Sequence, residues 1–240
     1  MSVLNQVRQQ IEQLPVGKLL TYREIPTAQQ NIPMVVQALS ILYRQGILKR
    51  LCKSIYYKPE PSEFGELRPS TLKILQKILD VQKHNVSYIT GQYAYNSLKL
   101  STQVAKEYLI ATDKPRRTPL YLSGTTIRFV KSRISQPVSD VRLLQILDAL
   151  TEIKTIPDGN ITHSYQILKA LIAKLKPSQC EEIVNLAFSY PPSTRALLGL
   201  ILEQLNHQQL SLRLHKSLNP LSVYQIGLPP HLCSHQWRIQ

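Results

Sequence analysis

Between residues 31 and 59 the hydrophobic positions follow two patterns that meet at one glycine. Val35, Leu39 and Leu42 recur at the three-to-four spacing of a helix that buries one stripe. Pro33 falls in the first turn, where a proline is tolerated, and Asn31 stands just ahead as a cap. Gly46 comes where a left-handed residue ends such a helix. Beyond it, Ile47–Leu51 and Ile55–Lys58 are short runs rich in β-branched and aromatic residues. Only Cys52-Lys53-Ser54 separates them, which predicts a hairpin. Upstream, Leu4, Val7, Ile11 and Leu14 predict a first helix closed by Pro15 and Gly17. Leu19-Leu20-Thr21 then reads as a short strand, and Tyr22–Ile25 as a brief helix before Pro26.

The resulting order is helix, short strand, short helix, long helix, hairpin. That is the order of a winged helix-turn-helix, and it is expected over residues 1–60, with a recognition helix starting after Asn31 and a basic wing. The next stretch, PEPSEFGELRP, breaks every periodicity and predicts a linker over 61–69. Residues 70–240 read as a second domain. Its first part, 70–137, is mixed: a helix with Leu72, Leu75, Ile78 and Leu79 on one face, then strands at Val86–Thr90, Glu107–Thr112, Pro119–Leu122 and Thr125–Val130. A short helix is expected over Gln92–Leu98, and Ser123-Gly124 as the turn joining the last two strands. From 138 the pattern is helical, with stripes at Leu143/Leu147/Leu150, Leu168/Leu171/Ile172/Leu175, Ile183/Leu186/Ala187 and Leu197/Leu200/Ile201/Leu205. Pro191-Pro192 is expected to end the third of these helices. The tail, Leu218 to Gln240, carries the single tryptophan, Trp237, and is apolar enough to pack back onto the helices. The predicted class is α+β: an N-terminal winged helix-turn-helix, a middle region with a small antiparallel sheet, and a helical C-terminal region.

Charge adds a partner to this picture. Lys and Arg number 29 against 15 acids, a net charge of +14, which points to a polyanion and most often to nucleic acid. The excess is +5 over residues 1–60, +7 over 61–137 and only +2 over 138–240. With Val35, Leu39 and Leu42 turned inward, Gln37, Ser40 and Arg44 lie on or near the opposite side of the long helix, and Asn31 stands at its leading end. Gln37 is suited to adenine, and Arg44 to a phosphate or guanine. Lys49, Arg50 and Lys53 of the hairpin suit backbone or minor-groove contacts. Lys114, Arg116 and Arg117, in a loop between two strands, suit either a phosphate clamp or a solvated turn. Double-stranded DNA is therefore the expected partner. The competing reading is a winged helix that docks protein and never touches DNA.

Other chemistries find little in the chain. No glycine loop for phosphates and no nucleophile elbow is present, so neither an enzyme nor a cofactor is expected. Glu181-Glu182 and the isolated aspartates read as solvated helix faces. His231, Cys233 and His235 alternate along a possible extended segment, but a fourth ligand has no candidate and no metal is assigned. Cysteines at 52, 180 and 233 form no disulfide framework. No run approaches the ~18 apolar residues of a membrane span. With no signal-peptide block at the N-terminus, a cytoplasmic protein is expected.

Three stretches carry a family likeness: ALSILYRQGILKRLCKSIYYKP, ITGQYAYNSLKLSTQV and YPPSTRALLGLILEQL. Together they resemble the antitoxins of bacterial type IV toxin–antitoxin systems, the AbiEi-like group. The matching positions are Ala38-Leu39-Ser40, Gly46, Lys49-Arg50-Leu51 and Ile55-Tyr56-Tyr57, then Gly91, Ala94, Asn96, Leu98, Leu100 and Thr102-Gln103-Val104. Two positions depart from the pattern. Ile41 replaces an arginine that often follows the Ala-Leu-Ser run, and Lys53-Ser54 replaces a basic residue followed by glycine. The resemblance implies a repressor that binds its own promoter through the winged helix. It also implies a second domain that counters a nucleotidyltransferase-like toxin, without a stable complex being required.

Overall fold

Ser2 opens the first helix, α1 (Val3–Glu12): its side chain accepts the Asn5 amide, and the helix buries Val7 and Ile11. The computed structural model describes residues 2–240 apart from 30, 64, 82–85, 123 and 233. It divides into two units, 1–83 and 84–240. In the first, β1 (Leu19–Leu20) leads into two 3-10 turns, Tyr22–Glu24 and Pro26–Gln29. The first turn is held by Glu24, whose carboxylate accepts the Thr21 amide at 2.8 Å. Then come α2 (Ile32–Arg44) and the hairpin strands β2 (Lys49–Cys52) and β3 (Ile55–Tyr57). The sheet order is β1-β3-β2, antiparallel throughout, which puts Ile55, Tyr56 and Tyr57 in the middle, all buried. Under it, Val7, Ile11, Leu20, Ile25, Val35, Leu39, Leu42 and Leu48 form one core.

The expected linker at 61–69 is a second, two-stranded hairpin, β4 (Glu60–Ser62) and β5 (Gly65–Leu67). Three-residue strands are too short to show an alternation, and Pro61 reads as a breaker although an edge strand tolerates it. The boundary between units also falls later than expected. Helix α3 (Thr71–Val81) belongs with residues 1–83: it runs against β1, and its Lys77 ammonium pairs with the Glu24 carboxylate. On this division the first unit holds twelve basic and six acidic residues, the second seventeen and nine. Positive charge is therefore shared between the units.

The second unit begins with β6 (Ser87–Thr90), α4 (Gln92–Ser97), β7 (Glu107–Thr112), β8 (Leu120–Leu122) and β9 (Thr125–Lys131). These strands form one sheet of order β6-β7-β9-β8, but it is mixed and not antiparallel throughout: β9 returns inside β8 and pairs in parallel with β7. The two-residue turn expected at Ser123-Gly124 joins β8 and β9, which pair antiparallel, although Ser123 itself lies outside the described residues. Helices α5 (Val141–Thr151), α6 (Ile161–Ile172), α7 (Pro177–Ala187), α8 (Pro192–Gln204) and α9 (Gln208–His215) follow. The Pro191-Pro192 pair does not stop a helix but starts one, since Pro192 takes the first position of α8, where its missing N–H costs nothing. Helix α8 is buried nearly all round, from Thr194 through Leu202, and is the axis of this unit. Among the described residues, no helix is long and apolar enough to cross a membrane.

The tail returns to α8. Trp237 is 1% exposed, its indole N–H donates to a Glu203 carboxylate oxygen at 2.8 Å, and His215 meets its ring edge-on at 5.3 Å. Gly199 makes this possible, because a Cβ there would collide with the Trp237 ring. Gly199→Ala should therefore destabilise the second unit by about 1–3 kcal/mol or more, the cost of overpacking. Urea unfolding followed by the fluorescence of this single tryptophan measures it, and an unchanged midpoint would show that the tail docks elsewhere.

Candidate nucleic-acid interface and a buried carboxylate pocket

Helix α2 turns Val35, Ala38, Leu39 and Leu42 into the core. At 100° per residue the opposite face carries Pro33, Val36, Gln37, Ser40 and Arg44. Gln37 and Arg44 are exposed and Ser40 is half-buried, so these three expected readers share one outward face. Asn31 caps the helix as expected, its side-chain oxygen accepting the Met34 amide at 3.2 Å. What the hydrophobic pattern alone did not reveal is the apolar content outside the buried stripe. Ile32, Met34, Val36 and Tyr43 are each between 43% and 51% exposed. Their signal was available, because all four fall outside the Val35/Leu39/Leu42 stripe.

The hairpin cations are not equivalent. Lys49 pairs with Glu66 of β5 at 3.2 Å. Arg50 lies 5.9 Å from the Tyr56 ring centre, and its Nε donates to the Cys52 carbonyl at 3.3 Å. Lys53 is exposed at the turn, followed by Ser54 at φ 70°, the left-handed conformation for which the resembled family uses glycine. An exposed ion pair such as Lys49–Glu66 contributes ~1 kcal/mol or less, so a phosphate could replace Glu66 at small cost. Lys114, Arg116 and Arg117 are exposed on the loop between β7 and β8, with Arg116 stacked 5.5 Å above Phe129. That loop belongs to the second unit, whereas the α2 and hairpin residues belong to the first.

In the second unit the structure overturns the reading of isolated aspartates as surface residues. Asp148 of α5 is 9% exposed. Its Oδ2 accepts the Thr90 hydroxyl at 2.6 Å and the Tyr88 phenol at 3.0 Å, and its Oδ1 accepts the Tyr190 phenol at 3.0 Å. Burial pushes the Asp148 carboxyl up from its ordinary value, while the three hydroxyl donors and Arg133 pull it back. One helical turn on, Glu152 accepts the Tyr95 phenol at 2.7 Å. Burial foremost, with the neighbouring carboxylates, raises the phenols of Tyr88, Tyr95 and Tyr190. Asp148 and Glu152 border a cavity of about 470 Å³ together with Lys131, Ser132, Arg133 and sheet residues. The signal for Asp148 was the run LLQILDAL, so apolar that its helix must be buried all round, acid included. Glu181 and Glu182 do sit on a surface, paired with Arg213 and Ser139.

The histidine cluster gathers no site. His231 and His235 lie in different 3-10 turns, Pro230–Leu232 and His235–Trp237, and Cys233 is outside the described residues. Among the described residues, no group of three His, Cys, Asp or Glu side chains is placed to hold a metal.

Comparison with known proteins gives a fold and a family. The chain resembles the crystal structure of RV2827C protein from Mycobacterium tuberculosis at a TM-score of 0.53 and 13% identity. The match covers 97% of this chain and 88% of that one, a likeness of fold alone. Residues 6–186 match a family of unknown function, DUF6088, and the chain belongs to it. No curated protein matches it significantly.

The raised carboxyl of Asp148 has a consequence for stability. Between the ordinary aspartate value of 3.8 and the higher native value, the folded state holds the proton that the unfolded state has released. The Asp148 contribution should therefore be most favourable below that window and should decline as pH rises through it. The difference in unfolding free energy between wild type and Asp148→Asn, measured from pH 3 to 8, should move against the wild type as pH climbs. A difference constant across that range would contradict it.

Proposed function

We propose that the first unit is a winged helix-turn-helix that binds duplex DNA, with α2 in the major groove and the β2–β3 hairpin as wing. The observation that carries this reading is the outward face of α2. It combines Gln37 and Arg44, which can pair with base edges, and Val36, which can meet a thymine methyl. Exposed Arg50 and Lys53 on the hairpin supply backbone contacts. With the resemblance to AbiEi-like antitoxins, the fuller reading is a transcriptional repressor of its own promoter whose second unit counters a nucleotidyltransferase-like toxin. Asn31 supports α2 as a cap and Lys49 is shared with Glu66, so Gln37, Ser40, Arg44, Arg50 and Lys53 are the principal contacts. Lys114, Arg116 and Arg117, in the second unit, are further phosphate contacts in this reading.

Binding to promoter DNA followed by fluorescence anisotropy over a salt series tests this. Phosphate contacts release counterions, so affinity should fall steeply with salt. Arg50→Ala combined with Lys53→Ala should weaken binding to all sequences and lower the slope by about 2, roughly one per contact. Gln37→Ala should change sequence preference across an operator library and leave the slope alone. Salt-independent behaviour, or no DNA binding, would favour the second reading, a protein-docking module. The observation favouring that alternative is the exposed Ile32, Met34, Val36 and Tyr43 on α2. For the antitoxin role, residues 84–240 co-expressed with the toxin should protect cells without repressing the promoter. Loss of protection from a fragment shown to be folded would mean that neutralisation needs the first unit.

A further inference from the structure

The Asp148 cavity carries a reading independent of DNA binding. Its lining falls into three chemical zones. Lys131 and Arg133 stand exposed at the rim. The Lys131 ammonium spends one donor on the Asp113 carbonyl at 2.9 Å and keeps two. Arg133 stacks 5.5 Å from the Tyr190 ring centre, which leaves the edge of its guanidinium to donate. The second zone is a sheet face: Tyr88 pairs with Ala111 and Ala111 with Val130, and Leu109 lies on that same face opposite Thr90, with Tyr88 and Ala111 buried and Leu109 and Val130 half-buried. The third zone is acceptor-rich. Two hydroxyls fill Asp148 Oδ2, but Oδ1 takes only one, and the Tyr95 phenol goes to Glu152 Oε2.

Cations and carboxylates therefore border one cavity, with Arg133 felt by Asp148 at a distance and not paired with it. Among the described residues, no ion pair joins Lys131 or Arg133 to Asp148 or Glu152. Unlike charges on separate sides of one pocket offer a ligand two distinct sets of polar partners. An anion alone would meet only the rim, and an amine alone only the acids. A ligand with an anionic group, a flat ring and ring-borne N–H donors meets all three zones. The volume, about 470 Å³, lies in the range of small-molecule sites.

We infer that this pocket binds a mononucleotide. The phosphate lies on Lys131 and Arg133, the base against half-buried Leu109 and Val130, and an exocyclic amino group donates to Asp148 Oδ1 or Glu152. Bases with that amino group, adenine, guanine and cytosine, are preferred to uracil, which lacks it.

Calorimetric titration of the full chain with AMP, GMP, CMP, UMP and inorganic phosphate tests the assignment. The three amino-bearing nucleotides should bind more tightly than UMP, and phosphate more weakly than any nucleotide. Arg133→Ala should weaken every nucleotide about tenfold or more, a lost charge-assisted hydrogen bond. Glu152→Gln should reduce the advantage over UMP. Lys53→Ala, in the other unit, should weaken DNA binding and leave mononucleotide binding as it was, which separates this pocket from nucleotide held by the proposed DNA face. Arg133→Lys, which keeps the charge, should retain part of the affinity and covers the case in which Arg133→Ala misfolds. Binding of phosphate as tight as that of the nucleotides would make this an anion site and overturn the assignment. So would nucleotide binding insensitive to both pocket variants, or none at millimolar ligand.

Discussion

One buried carboxylate ties the second unit together. Asp148 reaches the sheet through Tyr88 and Thr90 of β6 and the helical layer through Tyr190, just ahead of α8. Removing an aspartate from water costs several kcal/mol. Three hydroxyl donors, each contributing about 1.5–3 kcal/mol to a charged acceptor, offset part of it. The arrangement trades apolar packing for direction. A leucine at 148 could slide against its neighbours, whereas a carboxylate with three fixed donors holds β6, α5 and the α7–α8 connection in one register. The same carboxylate borders the cavity, so the structural anchor is also part of its lining.

The first unit is governed by a different constraint, the two-sidedness of α2. Its buried stripe is shared with α1 and β3, and that packing fixes which residues point away. The outward residues are partly apolar, with Val36 and Tyr43 beside Gln37 and Arg44. Such a surface is poorly suited to water alone. It is well suited to the floor of a DNA groove, where methyl groups and base edges alternate, or to a protein partner. Charge does not concentrate in one unit, since each carries an excess of basic residues.

Helices α1 and α2, the β2–β3 hairpin and the later leucine-striped helices were legible along the chain, because each follows from local periodicity, a cap or a forced turn. Asn31, Pro33 and Gly46 mark the ends of α2 without reference to any other element. The candidate DNA face was legible for the same reason, since the residues opposite a buried stripe must face outward. Less visible were contacts between distant residues. The pairing of β7 with β9 in parallel depends on the chain looping out through β8 and back, which no local pattern encodes. The place of α3 depends on its buried Ile74, Leu75 and Ile78 and on its contact with β1, far back along the chain. Lys49 looked like a free cation until Glu66 was folded beside it.

By itself, then, the chain determined its elements, their inward faces and its positive charge, because these depend on the identity and spacing of neighbouring residues. Tertiary structure alone decided which partners the polar residues found. Asp148 and Glu182 are both acids in helices, and nothing in their type distinguishes them. Packing buried one under three hydroxyls and left the other beside Ser139 at the surface. The physical reason is that the cost of burying a charge depends on donors brought from β6 and from the α7–α8 connection, 58 and 42 residues away in sequence. Those donors, and the cavity beside them, exist only once the sheet and helices have come together.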